Sequence, residues 1–302
     1  MIAALFAAAL IYGVQPSSNL RFREETNRVF VDVFVTLEGR PIEGLRVEDF
    51  EVYDDGVLQK DITLLPANNP LSVALVLDGS ASVRGEKLAR LQNAARVFLE
   101  HLAEEDEVSV LTFGTRYRLN QPLTLDHELA SRAIDRLGGL GGTALLDTLF
   151  ASLLYVEKGS GRPLVLLFSD GDDNASWLSI RELVRAAERS EAIVFVVRAA
   201  TGAGVSIDAT ESHPPVFVES AGDESGRVLL EAVAGATGGQ VISLPYAADL
   251  AAAFREVLDI MRRRYLLVYE PTDSSPGWHR LEVRLGRGIR ANVRARAGYF
   301  LK

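Results

Sequence analysis

Apolar and polar positions alternate near both ends of the chain, a spacing typical of β-strands. From Val29 to Leu37 every second residue is a valine or leucine, and this predicts a first strand. Turns at 38–41 and 54–56 separate it from further short strands before Leu65. The same spacing returns after Arg264. The predicted strands of this C-terminal segment are 265–269, 279–285 and 289–299.

The middle of the chain alternates between continuous apolar runs and helical periodicity. Residues 71–77 are nearly all apolar, as expected for a strand covered on both faces, and 85–103 follow with helical spacing. Such repeated β-then-α units predict a doubly wound, mostly parallel sheet, which places the chain in the α/β class. The other predicted strands are 107–113, 163–168, 192–199 and 240–244, with a short antiparallel edge strand at 117–124. The other predicted helices are 126–136, 144–156, 178–190, 227–236 and 247–262, and residues 200–226 are predicted to be a surface insertion.

Two β segments flank the α/β pattern, and this predicts a discontinuous β-sandwich. The two ends of an inserted domain usually lie close together, so we expect the flanking segments to meet as one sandwich. The predicted divisions are a signal peptide or N-terminal anchor at 1–19, the N-terminal half of the sandwich at 20–69, an α/β domain at 70–262 and the C-terminal half at 263–302.

The N-terminal segment predicts export. Ile2 to Val14 form an apolar run of 13 residues, too short for the roughly 20 residues of a spanning helix but long enough for the core of a signal peptide. No basic residue precedes it, and a helix or strand packed on the core is the alternative. We expect a secreted, periplasmic or cell-envelope protein that contacts a membrane only through this segment.

Composition excludes several classes of function. The chain of 302 residues is 48% hydrophobic and 24% charged, an ordinary globular balance. Its formal net charge of -9 argues against nucleic acid as a partner. The absence of cysteine excludes disulfides and thiol chemistry. Four scattered histidines, at positions 101, 127, 213 and 279, argue against a His-based triad or a His-rich metal site.

Oxygen-bearing side chains follow two of the predicted parallel strands. In an open α/β sheet, ligands bind beyond the carboxyl ends of the strands. Asp78, Ser80 and Ser82 follow the first core strand, Asp170 follows the strand at 163–168, and Thr143 comes after a glycine-rich loop. An oxygen-only donor set suits Mg²⁺, Mn²⁺ or Ca²⁺ better than zinc or copper. These residues predict a site for one hard divalent cation.

The same motifs resemble the metal-ion-dependent adhesion site of the von Willebrand factor A (VWA) domain family. The family's D-x-S-x-S loop, its loop threonine in GGTAL and its later aspartate in FSDG match five residues: Asp78, Ser80, Ser82, Thr143 and Asp170. The resemblance covers roughly residues 70–262. It implies that the serines bind the metal directly, that the threonine and aspartates bind it directly or through water, and that an open position accepts a partner's carboxylate.

The flanking segments are similar to those of a bacterial group called VWFA-related Acidobacterial domain proteins. The pieces that carry this similarity are VFVDVFVTLEGRPIEGLRVEDFEVYDDG, RRRYLLVYEPT, HRLEVRL and RARAGYF. The group is known mainly by sequence, so the resemblance implies an architecture and little about function.

The predicted function is non-enzymatic, metal-dependent binding of a protein in adhesion or envelope assembly. The partner would present an Asp or Glu carboxylate, and Gly142 and Trp177 are the candidate contact residues beside the metal. Local packing is the alternative role for Trp177. The alternative function is a cytoplasmic accessory subunit of an ATPase or chelatase-type machine. A hydrolase would need a general base that the sequence does not offer.

Five alternative roles for the candidate ligands and their loops fit the sequence less well. In the simplest of them Asp78 and its serines would only cap a helix, but capping requires neither Thr143 nor Asp170. A haloacid-dehalogenase-like phosphatase needs a carboxylate at Ser80, and an EF-hand needs Glu at Arg181. The G-x-S-x-G and P-loop motifs are absent. Two groups are expected to be solvated: the loop acids Asp172 and Asp173, and a basic strand face with Arg290, Arg294 and Arg296.

Overall fold

A computed structural model of the chain describes residues 28–66, 69–138, 141–169, 173–199, 221–245, 249–286 and 288–301. The predicted signal peptide at 1–19 and most of the predicted insertion at 200–226 lie outside these ranges. Within the described residues, no helix combines the length and apolar character needed to cross a membrane.

The described residues form strands at both ends of the chain and alternate strands and helices in the middle. The strands are β1 Val29–Leu37, β2 Arg40–Pro41, β3 Phe50–Asp54, β4 Val57–Leu58, β5 Thr63–Leu65, β6 Leu71–Asp78, β7 Glu107–Phe113, β8 Tyr117–Thr124, β9 Arg162–Ser169, β10 Ile193–Ala199, β11 Gln240–Leu244, β12 Tyr265–Tyr269, β13 Gly277–Leu285, β14 Asn292–Arg294 and β15 Gly298–Leu301. The α-helices are α1 Glu86–Glu100, α2 His127–Asp135, α3 Leu145–Val156, α4 Ile180–Arg189, α5 Ala221–Ala236 and α6 Leu250–Arg262.

The central strands form one sheet in the order β11-β10-β9-β6-β7-β8. All neighbours in it are parallel except β7 and β8, which pair antiparallel at the edge. Every residue of β6 is buried, because helices cover both faces of the sheet. Its leucines and Val73 pack with α1, α2 and α6, whereas Ala74 and Val76 pack with α3, α4 and α5. The predicted α/β class and the parallel sheet are therefore found.

The two ends of the chain meet in a pair of smaller sheets, which we call the β unit. One sheet has the order β14-β1-β12-β5, with β2 beside β1, and the other has the order β15-β13-β3-β4. Each sheet contains strands from both ends of the chain. A shared core lies between them, with Val31 and Leu267 from the first sheet and Val52 and Leu281 from the second. The domain boundaries at 69/70 and 262/263 stay a prediction.

Ion pairs that are largely buried lie where the β unit meets the amino edge of the central sheet. Asp32 of β1 pairs with Arg162, the first residue of β9, and its carboxylate lies 3.8 Å from Nε of Arg264. Arg264 also donates to the backbone oxygen of Gly238 at 3.0 Å. At the same edge, Arg262 at the end of α6 pairs with the buried Asp106 before β7. The β unit is thus held against the end of the sheet where the parallel strands begin.

The C-terminal segment differs from its prediction. The expected single strand at 289–299 is two strands in two different sheets, since β14 pairs with β1 and β15 pairs with β13. Arg296 lies between them and is buried, donating to the backbone oxygens of Gly298 at 2.7 Å and Glu188 at 2.9 Å. The expected solvated basic face was therefore wrong for Arg296, because the chain crosses from one sheet to the other at this residue.

Candidate metal site at the carboxyl edge of the sheet

The predicted metal ligands lie on loops at the carboxyl edge of the central sheet. Asp78 is the last residue of β6, and Asp170 directly follows β9, the strand that pairs with β6. Because β6 and β9 are parallel neighbours, their carboxyl ends lie side by side. Asp170 itself lies outside the described residues. The other four predicted ligands, Asp78, Ser80, Ser82 and Thr143, are described.

The loop after β6 folds back on the carboxylate of Asp78. This side chain is buried, and its Oδ1 accepts a hydrogen bond from the backbone N–H of Ser80 at 2.8 Å. The Oγ atoms of Ser80 and Ser82 are 2.9 Å apart, with Ser80 buried and Ser82 exposed. The helix-capping alternative was wrong, because α1 starts after Gly85, which is its N-cap residue. Capping of α1 therefore does not account for these three side chains.

Close backbone contacts bring this loop against its neighbours. The N–H of Gly79 donates to the carbonyl of Phe113 at the end of β7 at 2.7 Å. A Cβ atom at Gly79 would lie 3.1 Å from that oxygen and 3.3 Å from the carbonyl of Gly138, so the approach favours glycine. Ala81 donates to the carbonyl of Gly141 at 3.1 Å. The loop bearing Ser80 and Ser82 therefore contacts the glycine-rich loop that leads to Thr143.

Thr143 is held in place by the loop that follows β9. Its N–H donates to Oδ1 of Asn174 at 2.8 Å, and its carbonyl accepts from the N–H groups of Asn174 and Ala175 at 3.0 and 3.2 Å. Gly141, two residues earlier, has φ of 82°, a left-handed conformation that glycine adopts without strain. The threonine is buried at the start of α3. Three loops thus meet at this edge.

The cap at the start of α3 was not predicted from the sequence. Its N-cap residue is Ala144, which has no side-chain oxygen to accept from the first turn. Asp173 takes that role from a distant loop, since its Oδ1 accepts from the N–H of Leu145 at 2.8 Å and from the hydroxyl of Ser176 at 2.6 Å. Asp173 is exposed, as expected for a solvated loop acid, and it also caps α3. The sequence did contain one indication, because an alanine at the N-cap position means that a residue from elsewhere must cap the helix.

The two candidate contact residues lie beside this cluster. Trp177 is 97% exposed, and its N–H donates to both carboxylate oxygens of Asp147 at 3.1 Å. Its backbone is fixed while its indole projects into solvent, so local packing does not account for the side chain. Gly142 is half-buried, and a Cβ atom there would lie 2.7 Å from Oδ1 of Asn174. Contact of either residue with a partner stays a prediction.

The described donors fit a hard divalent cation. All are oxygens, from one carboxylate and three hydroxyls, which is the chemistry that Mg²⁺ and Ca²⁺ prefer. Adjacent ligands of an octahedral Mg²⁺ with bonds of about 2.1 Å lie roughly 3 Å apart. The separation of the Ser80 and Ser82 hydroxyl oxygens, 2.9 Å, matches that spacing. Binding of a metal here stays a prediction.

Comparison with known proteins supports the family of the α/β unit. Residues 73–172 match the sequence model of the von Willebrand factor type A domain. A stretch of 109 residues, 34% of this chain, is 33% identical to an uncharacterized protein of Synechocystis sp.. The chain spans 26% of the length of that relative. Such domains are generally protein-interaction modules, which is consistent with a non-enzymatic role.

Solved structures resemble the chain in fold. Proximal thread matrix protein 1 from the mussel byssus aligns with a TM-score of 0.51 and 15% identity, over 70% of this chain and 51% of that one. The conserved hypothetical protein BatB from Bacteroides thetaiotaomicron aligns with a TM-score of 0.48 and 16% identity, over 63% of this chain and 98% of that one. At such low identity, the mussel protein supports the fold alone.

Proposed function

We propose that this chain is a non-enzymatic binding module that captures an acidic side chain of a partner protein through a divalent cation. The cation would be Mg²⁺, or otherwise Mn²⁺ or Ca²⁺. Its proposed ligands are the five residues predicted from the sequence: Asp78, Ser80, Ser82, Thr143 and Asp170.

The observation that carries the proposal is the paired hydroxyls beside a buried carboxylate. Ser80 and Ser82 present their oxygens 2.9 Å apart, and Asp78 is fixed by the backbone of the same loop. Fixing the donors before binding lowers the entropy lost when a cation is bound. The loop of Thr143 touches this loop directly through Gly141 and Ala81.

The charge of this donor set explains why the partner would be acidic. The two carboxylates only neutralise a divalent cation, and the hydroxyls are weak, neutral ligands. An open coordination position therefore still favours an anionic oxygen. A carboxylate supplied by a partner is such a ligand. The net charge of -9 disfavours acidic partners elsewhere on the surface, so capture would depend on the cation. The exposed indole of Trp177 would add apolar contact beside it.

The proposed function requires a particular domain organisation and cellular location. Residues 70–262 form the binding domain, and segments 20–69 and 263–302 form a β-sandwich that receives it as an insertion. Residues 1–19 direct the chain to the cell envelope or beyond it, where it serves adhesion or envelope assembly. In the alternative function, the chain is a cytoplasmic accessory subunit of an ATPase machine. Fractionation of a tagged full-length chain separates the two.

The test pairs cation binding with partner capture. Mg²⁺ and Mn²⁺ are titrated into the full chain by calorimetry, and proteins retained from the envelope fraction are compared in Mg²⁺ and in EDTA. Asp78→Asn removes one ligand charge, and the matched control is Asp259→Asn on the exposed face of α6. We expect Asp78→Asn alone to lose both activities while circular dichroism stays unchanged. Capture of the same proteins by folded Asp78→Asn in EDTA would contradict the proposal.

A further inference from the structure

A second cluster of potential metal ligands lies in the β unit, away from the carboxyl edge of the central sheet. Asp54 ends β3, Asp55 begins the turn to β4, and His279 lies in β13. In the antiparallel register Asp54 is opposite Leu281, so His279, two residues from Leu281, shares its inward face. The two aspartates and the histidine come from opposite ends of the sequence. Their spacing along the chain therefore did not predict that they form a cluster.

Two facing polar atoms of this cluster, one on Asp54 and one on His279, are buried and lack hydrogen bonds within the part of the chain that the structure describes. Asp54 is 5% exposed and His279 is 3% exposed. Nδ1 of His279 lies 3.4 Å from Oδ1 of Asp54 and 3.1 Å from Oδ2 of Asp55. Among the residues that the structure describes, neither Nδ1 nor Asp54 Oδ1 has a hydrogen-bond partner. Buried polar atoms without hydrogen bonds cost free energy, so a cation or a proton bound between these two atoms would stabilise the protein.

The other polar atom of each side chain is already engaged. Oδ2 of Asp54 accepts from the hydroxyls of Tyr269 at 2.8 Å and Tyr299 at 2.6 Å. Nε2 of His279 lies 2.7 Å from the carbonyl of Ser275, and because a carbonyl only accepts, Nε2 carries the hydrogen. In a neutral imidazole, Nδ1 then has a free lone pair directed at the carboxylates. In metal-binding histidines, the ring nitrogen that does not contact the metal typically donates its hydrogen to a carbonyl or carboxylate, as Nε2 of His279 does here.

Asp55 is held in the same way. Its Oδ1 accepts from the N–H of Arg280 at 2.9 Å, which leaves Oδ2 toward His279. Its φ of 47° belongs to the two-residue turn that it forms with Gly56, whose φ is 83°, and aspartate is among the residues that tolerate this conformation. The turn therefore presents a carboxylate to the cluster while one side of Asp55 stays open to solvent.

We propose that Asp54, Asp55 and His279 bind a divalent transition metal of the Zn²⁺ class. Bonds of about 2.0–2.1 Å in a tetrahedral zinc site place neighbouring ligand atoms roughly 3.3 Å apart, close to the 3.4 and 3.1 Å observed. Two carboxylates neutralise the cation, and a nitrogen ligand distinguishes this site from the oxygen-only site at Asp78. The side chain of Asp55 is 49% exposed, which gives water access to the fourth position. The bound metal would join the β3–β4 turn to β13.

The test is zinc binding by the full chain with the other candidate site disabled. Zn²⁺ is titrated by calorimetry in excess Mg²⁺ into the Asp78→Asn variant, and we expect one zinc per chain. Adding Asp55→Asn should weaken binding about tenfold or more, because it removes a charged ligand while its amide oxygen still accepts from Arg280. The matched control, Asp61→Asn in an exposed turn, should bind as Asp78→Asn does.

Cobalt gives a second readout that does not depend on folding energy. Co²⁺ in a tetrahedral site absorbs visible light far more strongly than hydrated Co²⁺, so the full chain should develop this absorption and Asp55→Asn should lose it. His279→Gln should lose it also, with circular dichroism as the check on folding. Absence of zinc uptake by Asp78→Asn would overturn the proposal and indicate a proton on His279 between the carboxylates. Equal zinc affinity with and without Asp55→Asn would overturn it too.

Discussion

Removal of the charge of Asp32 is expected to destabilise this protein strongly. Its carboxylate pairs with Arg162 and lies 3.8 Å from Nε of Arg264. Arg264 is fully buried, and burial lowers its pKa to about 10, while the charge of Asp32 acts in the opposite direction. The charge of Asp32 thus compensates part of the cost of burying this guanidinium.

The burial of the ion pair determines how much free energy of unfolding is lost when Asp32 is replaced. Replacing Asp32 by Asn leaves two buried guanidinium groups facing a neutral amide. Removing one partner of a buried ion pair costs about 3–5 kcal/mol, because the remaining charge is left without compensation. The pair of Arg96 and Asp135 provides the comparison: its atoms are only 2.6 Å apart, but the side chains are 40% and 52% exposed. An exposed pair contributes only about 0.2–1 kcal/mol.

Urea unfolding of Asp32→Asn and Asp135→Asn measures the difference. We expect Asp32→Asn to lower the free energy of unfolding by about 3–5 kcal/mol and Asp135→Asn by less than about 1 kcal/mol. The smaller loss should shrink further in high salt, since exposed charges are screened and buried ones are not. Equal losses for the two variants would show that burial does not govern the contribution of Asp32, and would refute this reasoning.

Three further predictions concern single positions. Hydrogen bonds from the side chain and backbone of Ser179 lower the pKa of Glu182, so the stabilisation it gives α4 is present at neutral pH and lost as pH falls through that lowered pKa. The difference in melting temperature between wild type and Glu182→Gln should therefore vanish in acid. Gly239→Ala should lower the free energy of unfolding by about 1–3 kcal/mol, because its Cβ would lie 1.9 Å from a backbone oxygen of β10. Gly235→Ala in α5 is the control, and urea unfolding should show it to be more stable by up to about 1 kcal/mol. Asp173→Ala should cost about 1 kcal/mol in the same assay through loss of the cap on α3.

The sequence predicted the central sheet well because each strand and helix there has its own hydrophobic period. The strand 107–113 and the edge strand 117–124 are found with the predicted ends. Helix α5 instead begins at Ala221, six residues before its predicted start. Glycine and serine in this stretch are weak helix formers, but Leu230 and Val233 further along the helix pack in the core. Tertiary packing therefore outweighed local propensity.

The sites differ in how far sequence could predict them. Loops at the ends of adjacent parallel strands share an edge in any α/β sheet, so Asp78 and Asp170 could be grouped without a structure. Thr143 follows a glycine-rich loop and not a strand, so it was grouped with them by the motif that resembles the VWA family. No such rule brings Asp54 to His279, because their contact depends on the pairing of β3 with β13 from opposite ends of the chain. Periodicity could not show the break at Arg296 either, since the residues on both sides of it alternate as one strand would.

The direction of the parallel strands separates the proposed binding edge from the β unit. Arg162, which binds Asp32 of the β unit, begins β9, and Ser169 ends it directly before Asp170. A strand of eight residues at about 3.3 Å per residue places its two ends roughly 23 Å apart. Perturbations at such distances usually act independently. Among the described residues, the β unit therefore holds the central sheet by the edge where its strands begin, at the opposite end of the strands from Asp78.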